Sequence, residues 1–86
     1  MFEVILAPEA AEFFQSAPRP LAAKLARCFK ALETAPRRGN NVKRLRGALA
    51  SYHRYRVGDW RVVYRVDDDD ARVLVVSIAH RREVYE

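Results

Sequence analysis

The stretch YHRYRVGDWRVVYRV, residues 52–66, decides how this chain is read. Apolar or aromatic side chains alternate with arginine on both sides of Gly58-Asp59, and a two-residue loop with glycine first is a hairpin turn of type II′ or I′. If Gly58-Asp59 is the whole loop, residues whose numbers sum to 117 face each other. Val57 then opposes Trp60, Arg56 opposes Arg61, Tyr55 opposes Val62, Arg54 opposes Val63 and Tyr52 opposes Arg65. Because strand side chains alternate between faces, His53, Tyr55, Val57, Trp60, Val62 and Tyr64 share the face to be buried. The opposite face carries Arg54, Arg56, Arg61 and Arg65 with Tyr52 and Val63 among them. Arginines directly opposite in a sheet repel by up to about 1 kcal/mol. An anionic occupant is therefore expected on that face.

Downstream, Asp67–Asp70 reads as a solvated turn and Arg72–Ala79 as the last long strand. Leu74, Val76 and Ile78 are assigned to the core, with His80 on the same side. Val73, Val75, Ser77 and Ala79 are assigned to the open face, which Arg81 joins. Upstream, Phe2–Leu6 reads as a first strand. A helix follows from Pro8 to about Ala17, with Ala10, Phe13, Phe14 and Ala17 on one stripe. Pro18 and Pro20 stop it and start a second helix, where Leu21, Leu25, Cys28, Phe29 and Leu32 recur at helical spacing and Lys24, Arg27 and Lys30 occupy other faces. The two form an αα-hairpin, and a loop from Arg37 to about Ser51 leads into the β-hairpin. The order is β-α-α-β-β-β: an α+β fold with the N-terminal helical hairpin packed on one face of a small antiparallel twisted sheet.

Eighty-six residues fit one domain, 1–86, with a single small core. A chain of this length buries roughly 60–65% of its unfolded surface and leaves little room for a deep pocket. Half the residues are hydrophobic, enough to drive folding. The run Val73–Val76 is far too short to span a bilayer, and the N-terminus has no basic n-region of a signal peptide, so a soluble cytoplasmic protein is expected. Cys28 stands alone, which leaves no partner for a disulfide or a cysteine zinc site. The Asp67–Asp70 run lacks the glycine and distal glutamate of a calcium loop. No metal and no cofactor is expected.

Charge is more informative. The net charge is +5, and of the sixteen basic residues thirteen are arginine. Between Arg37 and Arg65 nine basic residues stand against one acid, Asp59, giving +8 there and −3 over the remainder. An arginine-dominated block inside a folded region points to a polyanionic partner, because the guanidinium fork grips phosphate bidentately and stacks on bases. Arginine cannot serve as a base at neutral pH. It can hold a phosphate in line and stabilise the added charge of a pentacoordinate transition state. RNA brings its own nucleophile, the 2′-hydroxyl, so cleavage needs little beyond positioning, electrostatics and one proton-transfer group. Tyr85, among several arginines, can transfer a proton, stack on a base or simply pack at the sheet edge.

Taken together, Lys43-Arg44-Leu45-Arg46-Gly47, the segment from Tyr55 to Tyr64 and the ending His80-Arg81-Arg82-Glu83-Val84-Tyr85 resemble the RelE/ParE superfamily of bacterial and archaeal toxins, on the RelE side. The similarity covers nearly the whole chain. It implies a toxin of a type II toxin–antitoxin system that enters the A site of the 70S ribosome, cuts mRNA without a metal and is neutralised by a RelB-like antitoxin. Operator DNA would be bound only through the antitoxin complex. Arg61 matches the family's strand arginine that stabilises the transition state. Arg81 matches the arginine at the scissile phosphate or leaving 5′-oxygen, and Tyr85 the tyrosine that stacks on the base and orients or activates the 2′-hydroxyl. Arg54 and Arg56 fall where well-studied members carry lysines, so here proton abstraction passes to Tyr85, a water or His80. Lys43, Arg44, Arg46, Arg65 and Tyr52 are assigned to RNA binding. The alternatives are a ParE-like inhibitor of DNA gyrase and a homologue that only binds RNA or its antitoxin.

Overall fold

In the computed structural model, which describes residues 1–84, the Gly58-Asp59 hairpin forms with the register the sequence dictates. β3 (His53–Val57) and β4 (Trp60–Asp67) pair antiparallel, with Val57 opposite Trp60, Arg56 opposite Arg61 and His53 opposite Tyr64. The ladder ends at that last pair, so Tyr52 lies before the strand and not in register with Arg65. Gly58 has φ +59° and Asp59 does not share the positive region, which makes the turn type II′.

The remaining elements are β1 (Glu3–Leu6), α1 (Pro8–Ser16), α2 (Arg19–Thr34), β2 (Val42–Arg44), a 3₁₀ turn (Gly47–Leu49) and β5 (Arg72–His80). Pro8 opens α1, and Glu9 lies at the positive end of its dipole. Among the described residues no helix is long and apolar enough to cross a membrane.

Three expectations are corrected. The sheet is mixed, not antiparallel: its order is β1-β5-β4-β3-β2, and β1 runs parallel to β5. The helices carry the chain from the β1 edge to the β2 edge, and three antiparallel steps, β2 to β3, β3 to β4 and β4 to β5, then bring β5 back beside β1. Second, the segment read as a loop from Arg37 to Ser51 contains β2, whose three residues pair with β3, and the 3₁₀ turn. Third, the faces of β5 are not those of simple alternation. Val63 opposes Ser77 while Tyr64 opposes Val75, so Val76 is an extra residue in a β-bulge. Upstream of it Val73 and Val75 are fully buried in the core; Ile78, beyond it, joins the same core. Leu74 and Val76 are displaced to the open face, half-buried.

The core is filled by Ala10 of α1, by Leu25, Cys28 and Leu32 of α2, and by Val57, Val62, Tyr64, Val73, Val75 and Ile78 of the sheet. The Phe14 and Phe29 rings meet edge to face, with centroids 5.2 Å apart, where the helices touch. Tyr64, wholly buried, donates its hydroxyl proton to the Pro36 carbonyl at 2.5 Å. Burial pushes its phenol pKa far up, as it pushes the Cys28 thiol up to about 12.

Candidate RNA-binding and catalytic face

Each side of the β3–β4 hairpin must face one way, and the register sorts the arginines. Arg56 and Arg61 are cross-strand partners, and Arg61 has Ala79 of β5 on its other side. The next row on this face is Lys43, Arg54, Val63 and Ser77. Ala79 and Ser77 are too short to cover their neighbours, and of the cationic side chains in these rows Lys43 and Arg56 are exposed. Arg65, opposite Leu74, is exposed further along.

Arg61 is not the open side chain that alternation suggests: it is 9% exposed. Its Nη1 donates to the Gly58 carbonyl at 2.9 Å and to the Trp60 carbonyl at 3.0 Å. A guanidinium this buried must have its donors met by acceptors, and the carbonyls of the type II′ turn supply two. The same turn holds Arg81. Its backbone N–H donates to the Asp59 carbonyl at 2.8 Å, and its Nε lies 3.8 Å from Asp59 Oδ1. Gly58-Asp59 is thus the common anchor for Arg61 and Arg81, the two arginines to which the family resemblance assigns transition-state stabilisation and contact with the scissile phosphate or leaving oxygen. Asp59 itself was read only as a turn residue.

The other residues separate. Arg54 is half-buried and donates from Nη1 to the Asn41 carbonyl at 2.7 Å, while Arg56 is exposed. Lys43 shares the arginine face, and Arg46 is exposed after β2. Arg44 pairs with His53 and so faces the opposite way, and its Nε donates to the Ala50 carbonyl at 3.0 Å. Tyr52 is half-buried beside the 3₁₀ turn, its N–H bonded to the Leu49 carbonyl at 2.9 Å. Tyr85 lies outside the described residues.

Neither histidine reaches the arginine face. His80 lies edge-on to Trp60, centroids 5.5 Å apart, and Trp60 in turn contacts Phe13 of α1. Its Nδ1 accepts the Arg82 N–H at 3.3 Å. His53 stacks on Tyr64 with centroids 5.8 Å apart. Burial, then the charges of Arg37 and Arg44, hold its pKa below the usual 6.5. The geometry therefore supplies fixed positive charge at a shallow surface, without an imidazole for proton transfer there.

The sequence alone places two cations near this face, Lys24 and Arg27, on the other faces of the second helix and gives them no role there. Lys24 and Arg27 of α2 line the same groove as Arg56, Arg61 and Arg81. Their signal was present: three residues apart on a helix, they share a side. What the sequence does not contain is the approach of that side to the hairpin tip.

The family described as the ParE toxin of the type II toxin–antitoxin system, parDE, matches residues 4–85. The chain is 37% identical to the toxin RelG of Mycobacterium tuberculosis over 68 residues, covering 79% of this chain and 76% of that protein. It is 36% identical to the toxin RelE of the same organism over 85 residues, 98% of this chain and 86% of that one. Among solved structures, the fold matches a chain of the RelBE2 toxin–antitoxin complex of M. tuberculosis with a TM-score of 0.79 at 26% identity, covering 93% and 98% of the two chains.

Proposed function

Because this chain belongs to the RelE/ParE superfamily and is a toxin of a type II toxin–antitoxin system, we propose that it is a ribosome-dependent endoribonuclease that cuts mRNA in the A site. The observation that carries this reading is Arg61, fixed by the turn carbonyls, with Arg56 opposite and Arg81 tied to the same turn. A phosphodiester lying across these three meets charge already in place, which is where electrostatic stabilisation of a pentacoordinate phosphorane is most effective.

In the proposed reaction the 2′-oxygen attacks the adjacent phosphorus and the bond from phosphorus to the 5′-oxygen breaks. A 2′,3′-cyclic phosphate results, and the leaving 5′-oxygen takes a proton from water to become a 5′-hydroxyl. Arg61 stabilises the equatorial oxygens in the transition state. Arg81 holds the scissile phosphate on the side of the leaving oxygen. Arg54 and Arg56 add positive charge but cannot take the proton of the 2′-hydroxyl. With both imidazoles directed away from this face, that proton passes to Tyr85 or to water. Lys43, Arg46, Arg65 and Tyr52 contact RNA outside the reacting centre, and Arg44 has the smallest share because it faces away. The cognate antitoxin is RelB-like, by likeness to the RelBE2 complex, and in this proposal operator DNA is engaged only through the toxin–antitoxin complex.

The description of the matched family as ParE favours a second reading, inhibition of DNA gyrase by binding alone. Primer extension on mRNA in a purified translation system separates the two. The nuclease gives new 5′ ends within codons that require ribosomes and fade in Arg61→Ala, Arg81→Ala and Tyr85→Phe. Intact mRNA at saturating toxin, together with loss of gyrase supercoiling, would establish the second.

A further inference from the structure

β2 stops at Val42, opposite Tyr55, so the β3 edge at Arg56 and Val57 has no strand beside it. One bond, from the Arg56 N–H to the Asn41 carbonyl at 2.9 Å, closes that edge. Here a groove of about 620 Å³ opens around the hairpin tip. On one side lie Arg56, Arg61 and Arg81, and on the other Lys24 and Arg27 of α2. The acid in its lining is Asp59, which pairs with Arg81. Lys24, Arg27 and Arg56 are exposed, and among the described residues none of them pairs with a carboxylate. Lys24, Arg27 and Arg56, gathered in so small a space, repel one another until a polyanion enters.

We propose that this groove is a second RNA-binding site, which holds the phosphodiester backbone of the strand adjoining the cut, with Lys24 and Arg27 as phosphate ligands. The proposal rests on the reading of the arginine face as an RNA site. Arg56, Arg61 and Arg81 belong to both surfaces. A strand whose phosphate lies on Arg61 carries its next phosphates covalently attached and delivers them at high local concentration. An acidic peptide has no such obligation, and this favours RNA as the occupant. The aromatic side chain in the lining is the half-buried Tyr55, on the helix-facing side of the sheet. Lys24 and Arg27 grip backbone and read no sequence.

The test uses a single-stranded 2′-O-methyl RNA, which lacks the nucleophile and is not cut. Its binding to the full chain is followed by anisotropy between about 0.05 and 0.2 M salt. The variant is Lys24→Ala/Arg27→Ala. The control is Arg19→Ala/Lys30→Ala, which removes the same charge from exposed positions of α2 that lie outside the groove. Loss of two phosphate contacts lowers the slope of log K against log salt by about 1.4 and weakens binding about 25-fold at 0.1 M salt. The same change is expected on RNAs of unrelated sequence, with the control near wild type and both variants keeping the wild-type thermal midpoint. An unchanged slope, an equal loss in the control, or failure of the wild type to bind overturns the proposal. So does a defect confined to antitoxin binding, which would assign the groove to an acidic peptide. A wild type that binds this RNA with the expected slopes yet leaves mRNA uncut on ribosomes would remove the nuclease reading and keep the groove.

Discussion

Arg61 shows what burial does to an arginine proposed to stabilise a transition state. At 9% exposure it has given up most of its water, and the Gly58 and Trp60 carbonyls replace part of it. Those bonds fix the plane of the guanidinium before any substrate arrives. A lysine at this position keeps the charge but offers a single ammonium on a flexible stem, without the fork that engages turn carbonyls and phosphate together. Arg61→Lys should therefore lower ribosome-dependent cleavage by about 10²–10³-fold, the usual cost of one preorganised donor at a developing anion. The stability loss should be only about 1–2 kcal/mol, from hydrogen bonds imperfectly replaced. Primer extension and urea unfolding on the same preparation measure both. Cleavage within threefold of wild type would mean that charge alone suffices and the fixed plane does not matter.

Among the elements, β5 is the one whose sequence misleads. Val73-Leu74-Val75-Val76 is apolar throughout, so no alternation reveals which residues face the core, and the bulge at Val76 is a property of pairing with β4. The consequence is measurable. Val75→Thr places a hydroxyl in a fully buried site and should cost about 1–3 kcal/mol. Leu74→Thr, on the half-buried open face, should cost less than about 1 kcal/mol. A strand without the bulge requires the reverse order, so urea midpoints of the two variants decide between them. The hairpin's register was legible because its turn and its alternation both fix it, and the helices were legible from proline boundaries and 3.6-residue spacing. β2 was not: three residues, two of them charged, have no period of their own and become a strand by pairing with β3. Strand direction was not legible either, since the parallel β1–β5 pair arises from the path of the whole chain. At the site, the alternating face placed Arg54, Arg56 and Arg61 together correctly. It could not foresee Arg61 folded back on the turn, or α2 bringing Lys24 and Arg27 to the tip.

For the whole molecule, the same basic charge that suits a polyanion sets how the fold answers acid. Arg37, after α2, donates two hydrogen bonds to Asp68 in the β4–β5 turn, at 2.9 and 2.8 Å, and this holds the Asp68 carboxyl below its usual 3.8. Arg37 also bears on His53, where with burial and Arg44 it disfavours the imidazolium. The native state therefore binds the His53 proton less readily than the unfolded chain, whose histidine titrates near 6.5. Stability from this group is complete above about 6.5 and falls as the pH drops through the lower native value. The Asp68 contribution is present above 3.8 and is lost only at more acid pH, so the two windows are separate. His53→Gln removes the titrating group and should flatten stability between pH 7.5 and 5 relative to wild type, while the loss below about pH 4 persists. Urea unfolding of both proteins at pH 7.5, 5 and 3.5 reads this directly. Parallel curves down to pH 5 would show that His53 is protonated as easily in the fold as outside it, and that the growing net charge alone weakens the protein in acid.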